Sequence, residues 1–170
     1  MFIKQAKRED INKISEIYLL CWQTTYANLV PDSYLESLSL VNIINKWEDF
    51  FNNEDNSFIY VAFNEKNEYL GFVAGMIKDD CKQGEILALY LLDKYQGLGL
   101  GKKLFMKAIE YFINHDTNTM IVWVMKNNKK GINFYEKRQG KIFKQRQSNL
   151  DGYIVDDVAY YWFDLKSVFK

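Results

Sequence analysis

The middle of the chain joins an apolar run, a cluster of three glycines and an amphipathic pattern, and this order restricts the fold more than any other feature. Residues 84–92, GEILALYLL, are apolar enough for a strand in the centre of a sheet. The stretch YQGLGLGKKL, residues 95–104, follows, and apolar side chains then recur at helical spacing from Leu100 to Phe112. We therefore expect a strand, a tight glycine turn and a covered helix in immediate succession.

Such a unit places backbone amides where an anion can reach them. The first turn of a helix leaves N–H groups without partners, and glycine lets a phosphate approach them closely. Lys102 and Lys103 stand in that turn, where a cation opposes the helix dipole at a cost of up to about 1 kcal/mol unless an anion offsets it. The stretch fits a phosphate site and also a turn whose glycines serve close packing.

Two common nucleotide loops do not fit these residues. In the dinucleotide pattern G-x-G-x-x-G, Lys102 occupies the place of the third glycine. In the nucleoside-triphosphate loop, Gln96 replaces a required glycine and Lys103 replaces a required serine or threonine. A nucleotide-binding regulatory domain is therefore disfavoured.

The other patterns place strands and helices around one sheet. Strands are predicted at 2–5, 57–63, 69–77, 84–92, 120–125, 142–147 and 155–163. Helices are predicted to begin at Asp10, at Pro31, at the glycine stretch and at Lys129, the second of them ending near 52–53. With 170 residues, one proline and no low-complexity stretch, residues 1–170 are expected to form a single domain.

Composition argues against several classes of partner. Lysine plus arginine balance aspartate plus glutamate at 22 each, so nothing favours nucleic acid or a membrane. The chain shows no transmembrane or signal-peptide run, and Cys21 and Cys81 are expected to be reduced thiols, which together indicate the cytoplasm. The single histidine, His115, argues against a metal site.

Several motifs at consistent spacing carry a resemblance to a known family. Residues 96–101, QGLGLG, match the signature Q/R-x-x-G-x-G/A, and NKKGINFYEKRQG from Asn128 is similar to N-x-x-A-x-x-F-Y-E-K-x-G-G, with Gly131 and Gln139 as departures. Trp22, Tyr26 and Pro31 resemble W-x-x-x-Y-x-x-x-x-P, and VAYYWFDL resembles a common closing strand. By these motifs the chain resembles the GNAT superfamily of N-acetyltransferases, in particular its small bacterial members.

The resemblance implies an α/β (α+β) fold, with a mixed central sheet of about six to seven strands flanked by about four helices. It also implies that acetyl-CoA is bound as a co-substrate without a metal. The cofactor-binding residues implied are Leu89, Leu91, Gln96, Gly97, Leu98, Gly99, Leu100, Gly101, Lys102, Asn128, Phe134 and Lys137. Those implied for the acceptor pocket are Trp22, Tyr26 and Tyr160.

Acetyl transfer to an amine requires proton donors and acceptors. An alkyl amine has a pKa near 10.4 and must lose a proton, whereas the departing thiolate must gain one. Tyr135 matches the family tyrosine that acts as general acid, although by its spacing from Ile132 alone it reads as a packed helix aromatic. Glu85 is the expected base. Asp156 and Asp157 lie on the last strand, which is predicted to be an edge strand, and they either attract a cationic amine or keep the protein soluble.

The expected function is therefore acetyl-CoA-dependent N-acetylation of a small-molecule amine or a protein amino group. A non-catalytic acyl-CoA binding or sensing module of the same fold remains an alternative. Homodimers are common in the family, so the resemblance allows a homodimer here.

Overall fold

The computed structural model describes residues 1–53, 55–78 and 82–169. Its strands form one sheet in the order β1-β2-β3-β4-β5-β7-β6, in which all neighbours are antiparallel except β4 and β5. The strands are β1 (Phe2–Gln5), β2 (Ser57–Phe63), β3 (Tyr69–Lys78), β4 (Gln83–Leu91), β5 (Met120–Met125), β6 (Lys141–Leu150) and β7 (Tyr153–Trp162). The α-helices are α1 (Ile11–Thr25), α2 (Asp32–Ser37), α3 (Leu40–Asn53), α4 (Leu100–Asn114) and α5 (Lys129–Glu136). The expected mixed sheet is confirmed.

Helices cover both faces of the sheet. On one face, α1 and α3 bury Ile14, Cys21 and Trp47 against Phe72 and other side chains of the central strands. On the opposite face, α4 and α5 bury a larger cluster, which includes the following side chains: Leu104, Phe105, Ala108, Phe112, Tyr135, Tyr160 and Trp162. The amphipathic patterns of the sequence correspond to these two interfaces.

The predicted second helix is two helices rather than one. Leu38 has extended backbone angles, and Ser39 then opens α3, with its hydroxyl accepting from the Asn42 amide at 3.4 Å. Serine is a preferred residue at a helix start, so Ser39 could have indicated a new helix. The regular spacing of apolar residues on both sides of Ser39 instead suggested one continuous helix. The structure therefore has five α-helices in its described part, where about four were expected.

Two further details differ from the sequence reading or extend it. The last strand, β7, lies between β5 and β6, so Asp156 and Asp157 are on an interior strand and the expectation of an edge strand is wrong.

Cys21 is a free, buried thiol, and burial, with a smaller contribution from Asp93, raises its pKa to about 12. Cys81 lies outside the described residues. None of the helices in the described ranges has the length and apolar character needed to cross a membrane.

The feature that positions the site is the divergence of β4 from β5. The two parallel strands pair only from Gly84 to Ile86, opposite Met120 to Val122, although β4 continues to Leu91. Beyond Ile86 a bulge shifts the register with β3, leaving Leu87 without a partner residue between Ile86 and Ala88. The parted strands leave a gap in the middle of the sheet.

Candidate active site

A cavity of about 470 Å³ occupies this gap. Its walls are the open part of β4, the end of β5, the glycine loop, the first turn of α4 and one side of α5. The lining residues are Thr25, Tyr26, Ile86, Leu87, Ala88, Leu89, Tyr90, Leu91, Gln96, Gly97, Gly99, Gly101, Lys102, Val122, Trp123, Val124, Asn128, Lys130, Gly131, Asn133, Phe134, Tyr135 and Arg138. The cavity therefore joins segments from both halves of the chain.

The glycine loop lies at one end of the cavity and leads into α4. Gly97 and Gly99 have φ of 75° and 80°, in the left-handed region that favours glycine, and no atom lies within 4 Å of where their Cβ atoms would stand. The Gln96 side chain fixes the loop by donating to the Leu91 carbonyl at 3.1 Å and to the Asp93 carboxylate at 2.8 Å. The first helical hydrogen bond runs from the Lys103 amide to the Gly99 carbonyl, so earlier amides lie at the free end of α4.

The charged side chains in this lining are all cations. They are Lys102 on α4, Lys130 on α5 and Arg138 just after α5. The Arg138 guanidinium lies 3.5 Å from the centre of the Phe134 ring, and its Nη1 donates to the Phe134 carbonyl at 2.6 Å. Its buried Nε has no hydrogen-bond partner among the described residues. Together with the free amides of α4, these groups make an environment suited to phosphate.

Tyr135 forms part of the wall on the α5 side. Its ring packs against Trp162 and Tyr160, with centroid separations of 6.0 and 6.1 Å, and only 7% of the residue is exposed. Burial raises the pKa of the phenol well above 10, the nearby Tyr26 phenol raises it further, and Arg138 lowers it in part. The hydroxyl therefore stays protonated over the whole neutral range and is available as a hydrogen-bond or proton donor.

Two further phenols line the cavity beside Tyr135. Tyr26 is buried at the end of α1, where its ring packs on Trp22 at 4.4 Å. Burial raises the pKa of its phenol, and the nearby Tyr90 of β4 and Asn128 lower that pKa in part. Asn128 also caps α5, its side-chain oxygen accepting from the Gly131 amide at 2.9 Å. The family motif at Asn128 and the W-x-x-x-Y stretch therefore meet in space.

The structure brings most of the residues expected from the sequence into one lining. Those found there are Tyr26, Leu89, Leu91, Gln96, Gly97, Gly99, Gly101, Lys102, Asn128, Phe134 and Tyr135. The other expected residues lie outside it: Trp22, Glu85, Leu98, Leu100, Lys137 and Tyr160. Leu100 is buried in the core under α4, whereas Leu98 is 61% exposed.

Glu85 and Tyr160 are held by other partners. Glu85 is buried in the closed part of β4, one residue before the lining begins, and forms an ion pair with Lys78 of β3. The Tyr160 hydroxyl donates to the Glu136 carboxylate at 2.9 Å within the core on the α5 side. A base at Glu85 and an acceptor contact at Tyr160 stay predictions.

Several lining residues were not expected from the sequence, among them Tyr90, Trp123, Asn133 and Arg138. Arg138 had a local signal, because it occupies the variable position of the F-Y-E-K-x-G-G segment on the same helix end as Tyr135. No sequence feature indicated Tyr90, because an aromatic residue in a buried strand is expected to lie in the core until the divergence of β4 and β5 is known.

Comparison with known proteins agrees with this geometry. The model of the acetyltransferase (GNAT) family matches residues 11–140. The chain is 30% identical over 169 residues to the uncharacterized N-acetyltransferase YuaI of Bacillus subtilis (strain 168), covering 98% of this chain and 95% of that protein. It is 26% identical over 145 residues to spermidine N(1)-acetyltransferase of Thermoplasma acidophilum, covering 82% and 88%.

Among solved structures, the PaiA N-acetyltransferase from Thermoplasma acidophilum, in complex with coenzyme A, aligns with a TM-score of 0.72. The sequences are 24% identical, and the alignment covers 95% of this chain and 100% of that one, which shows a common fold. With a family match over most of its length, the chain belongs to the acetyltransferase (GNAT) family, which confirms the family and the class of enzyme expected from its sequence.

Proposed function

We propose that this protein transfers the acetyl group of acetyl-CoA to a primary amine, with Tyr135 as the general acid. The observation that carries the proposal is the position of Tyr135 in the wall of the cavity between β4 and β5, with the glycine loop and the N-terminus of α4 in the same lining. One cavity thus combines an anion site with a protonated phenol. Acetyl transfer from acetyl-CoA would use the anion site to hold the pyrophosphate and the phenol to protonate the departing thiolate.

The residues present fit acetyl-CoA. Gly97, Gly99 and the free amides of α4 provide an open backbone surface for a pyrophosphate, and Lys102, Lys130 and Arg138 supply positive charge beside it. At the bulge, the backbone at Leu87 is not paired in register with β3 and borders the cavity. A backbone N–H there is suited to polarise a thioester carbonyl.

Tyr135 supplies the proton that the reaction requires at sulfur. Loss of CoA as a thiolate is unfavourable unless a donor protonates the sulfur as the carbon–sulfur bond breaks. Because burial holds the pKa of Tyr135 far above neutrality, the phenol is fully protonated when the reaction begins. Its apolar neighbours Phe105, Phe134 and Trp162 fix the ring, so the hydroxyl direction is set before substrate binds.

The acceptor is proposed to be a primary amine of a small molecule or of a protein. The spermidine N(1)-acetyltransferase relative supports the first, and the structural similarity to a ribosomal-protein-alanine N-acetyltransferase from Brucella melitensis, with a TM-score of 0.74, extends only to the fold. Tyr26, Tyr90 and Trp123 present aromatic rings to the cavity, and such rings suit the alkyl chain of either acceptor.

The base role expected for Glu85 is tested separately. Its ion pair with Lys78 and its place outside the lining support a structural role, so Glu85→Gln is expected to lower the thermal unfolding midpoint and leave kcat within about twofold. If Glu85 is the base, kcat falls by about 100-fold at neutral pH and recovers as pH approaches the pKa of the amine.

The whole proposal is tested by thiol release from acetyl-CoA with a panel containing polyamines, amino sugars and peptides with free amino termini. Thermal unfolding with acetyl-CoA, NAD or ATP is measured alongside. We expect stabilisation by acetyl-CoA alone and amine-dependent thiol release. Stabilisation by NAD or ATP but not by acetyl-CoA contradicts the proposal, and binding of acetyl-CoA without turnover on any amine supports a sensing module instead.

A further inference from the structure

We infer that the acceptor is an amine that also carries a carboxylate, such as a free amino acid, and that Arg146 of β6 binds this carboxylate. With acetyl transfer as the proposed function, on which this inference rests, the same cavity then selects its substrate by charge. The support is the contact of Arg146 with Trp123, which lines the cavity, and the sign of the charges around these two residues.

The cavity is lined from both faces of the sheet. Lys102, Lys130 and Arg138 belong to α4, to α5 and to the residues just after α5, so the proposed phosphate site lies on the face that these helices cover. Thr25 and Tyr26, at the end of α1, line the cavity on the opposite face. Because acetyl-CoA takes up the first face, the amine is expected to approach from the α1 face.

Trp123 lies on the α1 face of the sheet. Met120, Val122 and Val124 of β5 are buried in the cluster beneath α4 and α5, and side chains alternate along a strand, so Trp123 points the other way. It packs there beside Ala159 of β7, its direct partner across the two strands. The Trp123 ring therefore forms part of the cavity wall on the side from which the amine is expected.

Two contacts hold Arg146 against this wall. Its guanidinium carbon lies 4.0 Å from the centre of the Trp123 ring, and its Nε donates to the Asp157 carboxylate at 3.3 Å. Asp157 is buried and is itself held in place, because the Ser148 hydroxyl donates to the same carboxylate oxygen at 2.6 Å. The guanidinium is thus oriented before a substrate binds.

The two terminal nitrogens of Arg146 are available to a ligand. Among the described residues, the hydrogen bond and the ion pair of Arg146 both use Nε, and 49% of its side chain is exposed. A guanidinium whose Nη groups are free binds a carboxylate through two parallel hydrogen bonds. Arg146 therefore presents a carboxylate site directly beside the aromatic wall of the cavity.

The charges near this wall favour an anionic group on the acceptor over a second cation. Glu85 of β4 and Asp157 of β7, on the two strands that flank β5, are each paired with a cation, Lys78 and Arg146. Lys144 lies two residues before Arg146 on the same face of β6 and adds positive charge. The described lining of the cavity contains no aspartate or glutamate, so a polyamine finds no carboxylate there for its further ammonium groups.

The test compares free L-amino acids with their α-amides as acceptors for acetyl-CoA, and includes spermidine. We expect the wild-type kcat/KM to be highest for a free amino acid. In Arg146→Gln, the ratio of kcat/KM for that amino acid to kcat/KM for its amide is expected to fall by about 10- to 100-fold, because hydrogen bonds between two charged groups are lost. Comparing this ratio between variants cancels the difference in amine pKa between the acid and the amide.

Lys144→Gln is the matched control. It removes one positive charge from the same face of β6, but the Lys144 ammonium lies 4.9 Å from the centre of the Phe143 ring and not against Trp123. Its acid-to-amide ratio is expected to stay within about twofold of the wild-type value. Arg146→Lys keeps the charge without the planar fork and is expected to recover only part of the ratio. Turnover of the amide by each variant reports that the fold and the acetyl-CoA site are intact.

The outcomes distinguish the carboxylate site from the proposed function. A higher wild-type kcat/KM for an amine without a carboxylate, spermidine or an amide among them, overturns the role of Arg146 and leaves the proposed function standing. An unchanged acid-to-amide ratio in Arg146→Gln overturns it too, as does an equal fall in Lys144→Gln. Binding of acetyl-CoA by the wild type without turnover on any amine overturns both.

Discussion

Asp10 shows how single residues stabilise this fold. It is 1% exposed, and its carboxylate accepts from the Lys7 amide at 2.8 Å, from Lys4 at 3.0 Å and from the Tyr69 hydroxyl. Burial alone would raise its pKa, but these donors outweigh burial and hold the pKa below its usual value. One side chain thus joins β1, β3 and the start of α1.

Because the pKa of Asp10 is lower in the folded than in the unfolded chain, its contribution to stability is present above about pH 4 and is lost as pH falls through the folded value. Asp10→Asn is expected to cost about 1–3 kcal/mol at pH 7. Denaturant unfolding of both chains from pH 7 to pH 3 measures the difference, which should shrink below pH 4. The exposed Asp49→Asn is the control, and a difference that is constant with pH contradicts the assignment.

The glycine loop provides a second prediction for single residues. Gly99→Ala forces a Cβ onto φ of 80°, which is expected to cost about 1–2 kcal/mol of stability, and places a methyl group on the proposed phosphate surface. Gly152→Ala is the matched control, because Gly152 also has positive φ, 91°, and open space, but lies in the β6–β7 turn. Calorimetry should find weaker acetyl-CoA binding for Gly99→Ala only, and equal weakening in both variants argues against the loop.

At the level of the elements, the C-terminal end of α5 is closed by a hydrogen-bond motif that usually contains a glycine where this chain has Gln139. The Gly140 amide donates to the Tyr135 carbonyl at 3.1 Å and the Gln139 amide to the Glu136 carbonyl at 3.0 Å, with Gln139 at φ of 65°. This is the hydrogen-bond pattern of a helix that closes on a left-handed residue, a place where glycine is usual. Gln139, which replaces a glycine of the family motif, therefore keeps the geometry of this helix end, but its backbone is strained in the left-handed conformation.

Gln139→Gly is expected to stabilise the protein by roughly 0.5–1 kcal/mol, because relief of the left-handed strain exceeds the entropy that a new glycine adds to the unfolded chain. Gln145→Gly, in the middle of β6 where φ is not positive, is the control and should destabilise. Denaturant midpoints measure both changes. A lower midpoint for Gln139→Gly contradicts the interpretation of this helix end.

For the whole molecule, local motifs predict the two ends of the site but not the space between them. The glycine loop and the Asn128 to Gly140 segment are continuous in sequence, so their residues could be assigned from spacing. The divergence of β4 from β5 depends on contacts between distant strands, and it decides that Tyr90 lines a cavity whereas Tyr160 lies in the core. Glu85 lies outside the lining and precedes Ile86, the first residue of β4 that borders the cavity, by one position.

The central claim, that this cavity transfers acetyl with Tyr135 as proton donor, is tested most directly by Tyr135→Phe. Steady-state kcat and the calorimetric Kd for acetyl-CoA are measured beside Tyr111→Phe as a control, because the Tyr111 hydroxyl donates to the Ser57 carbonyl and neither residue lines the cavity. We predict that Tyr135→Phe lowers kcat by about 100-fold or more with Kd within twofold, and that Tyr111→Phe keeps the wild-type kcat. A wild-type kcat in Tyr135→Phe contradicts the account.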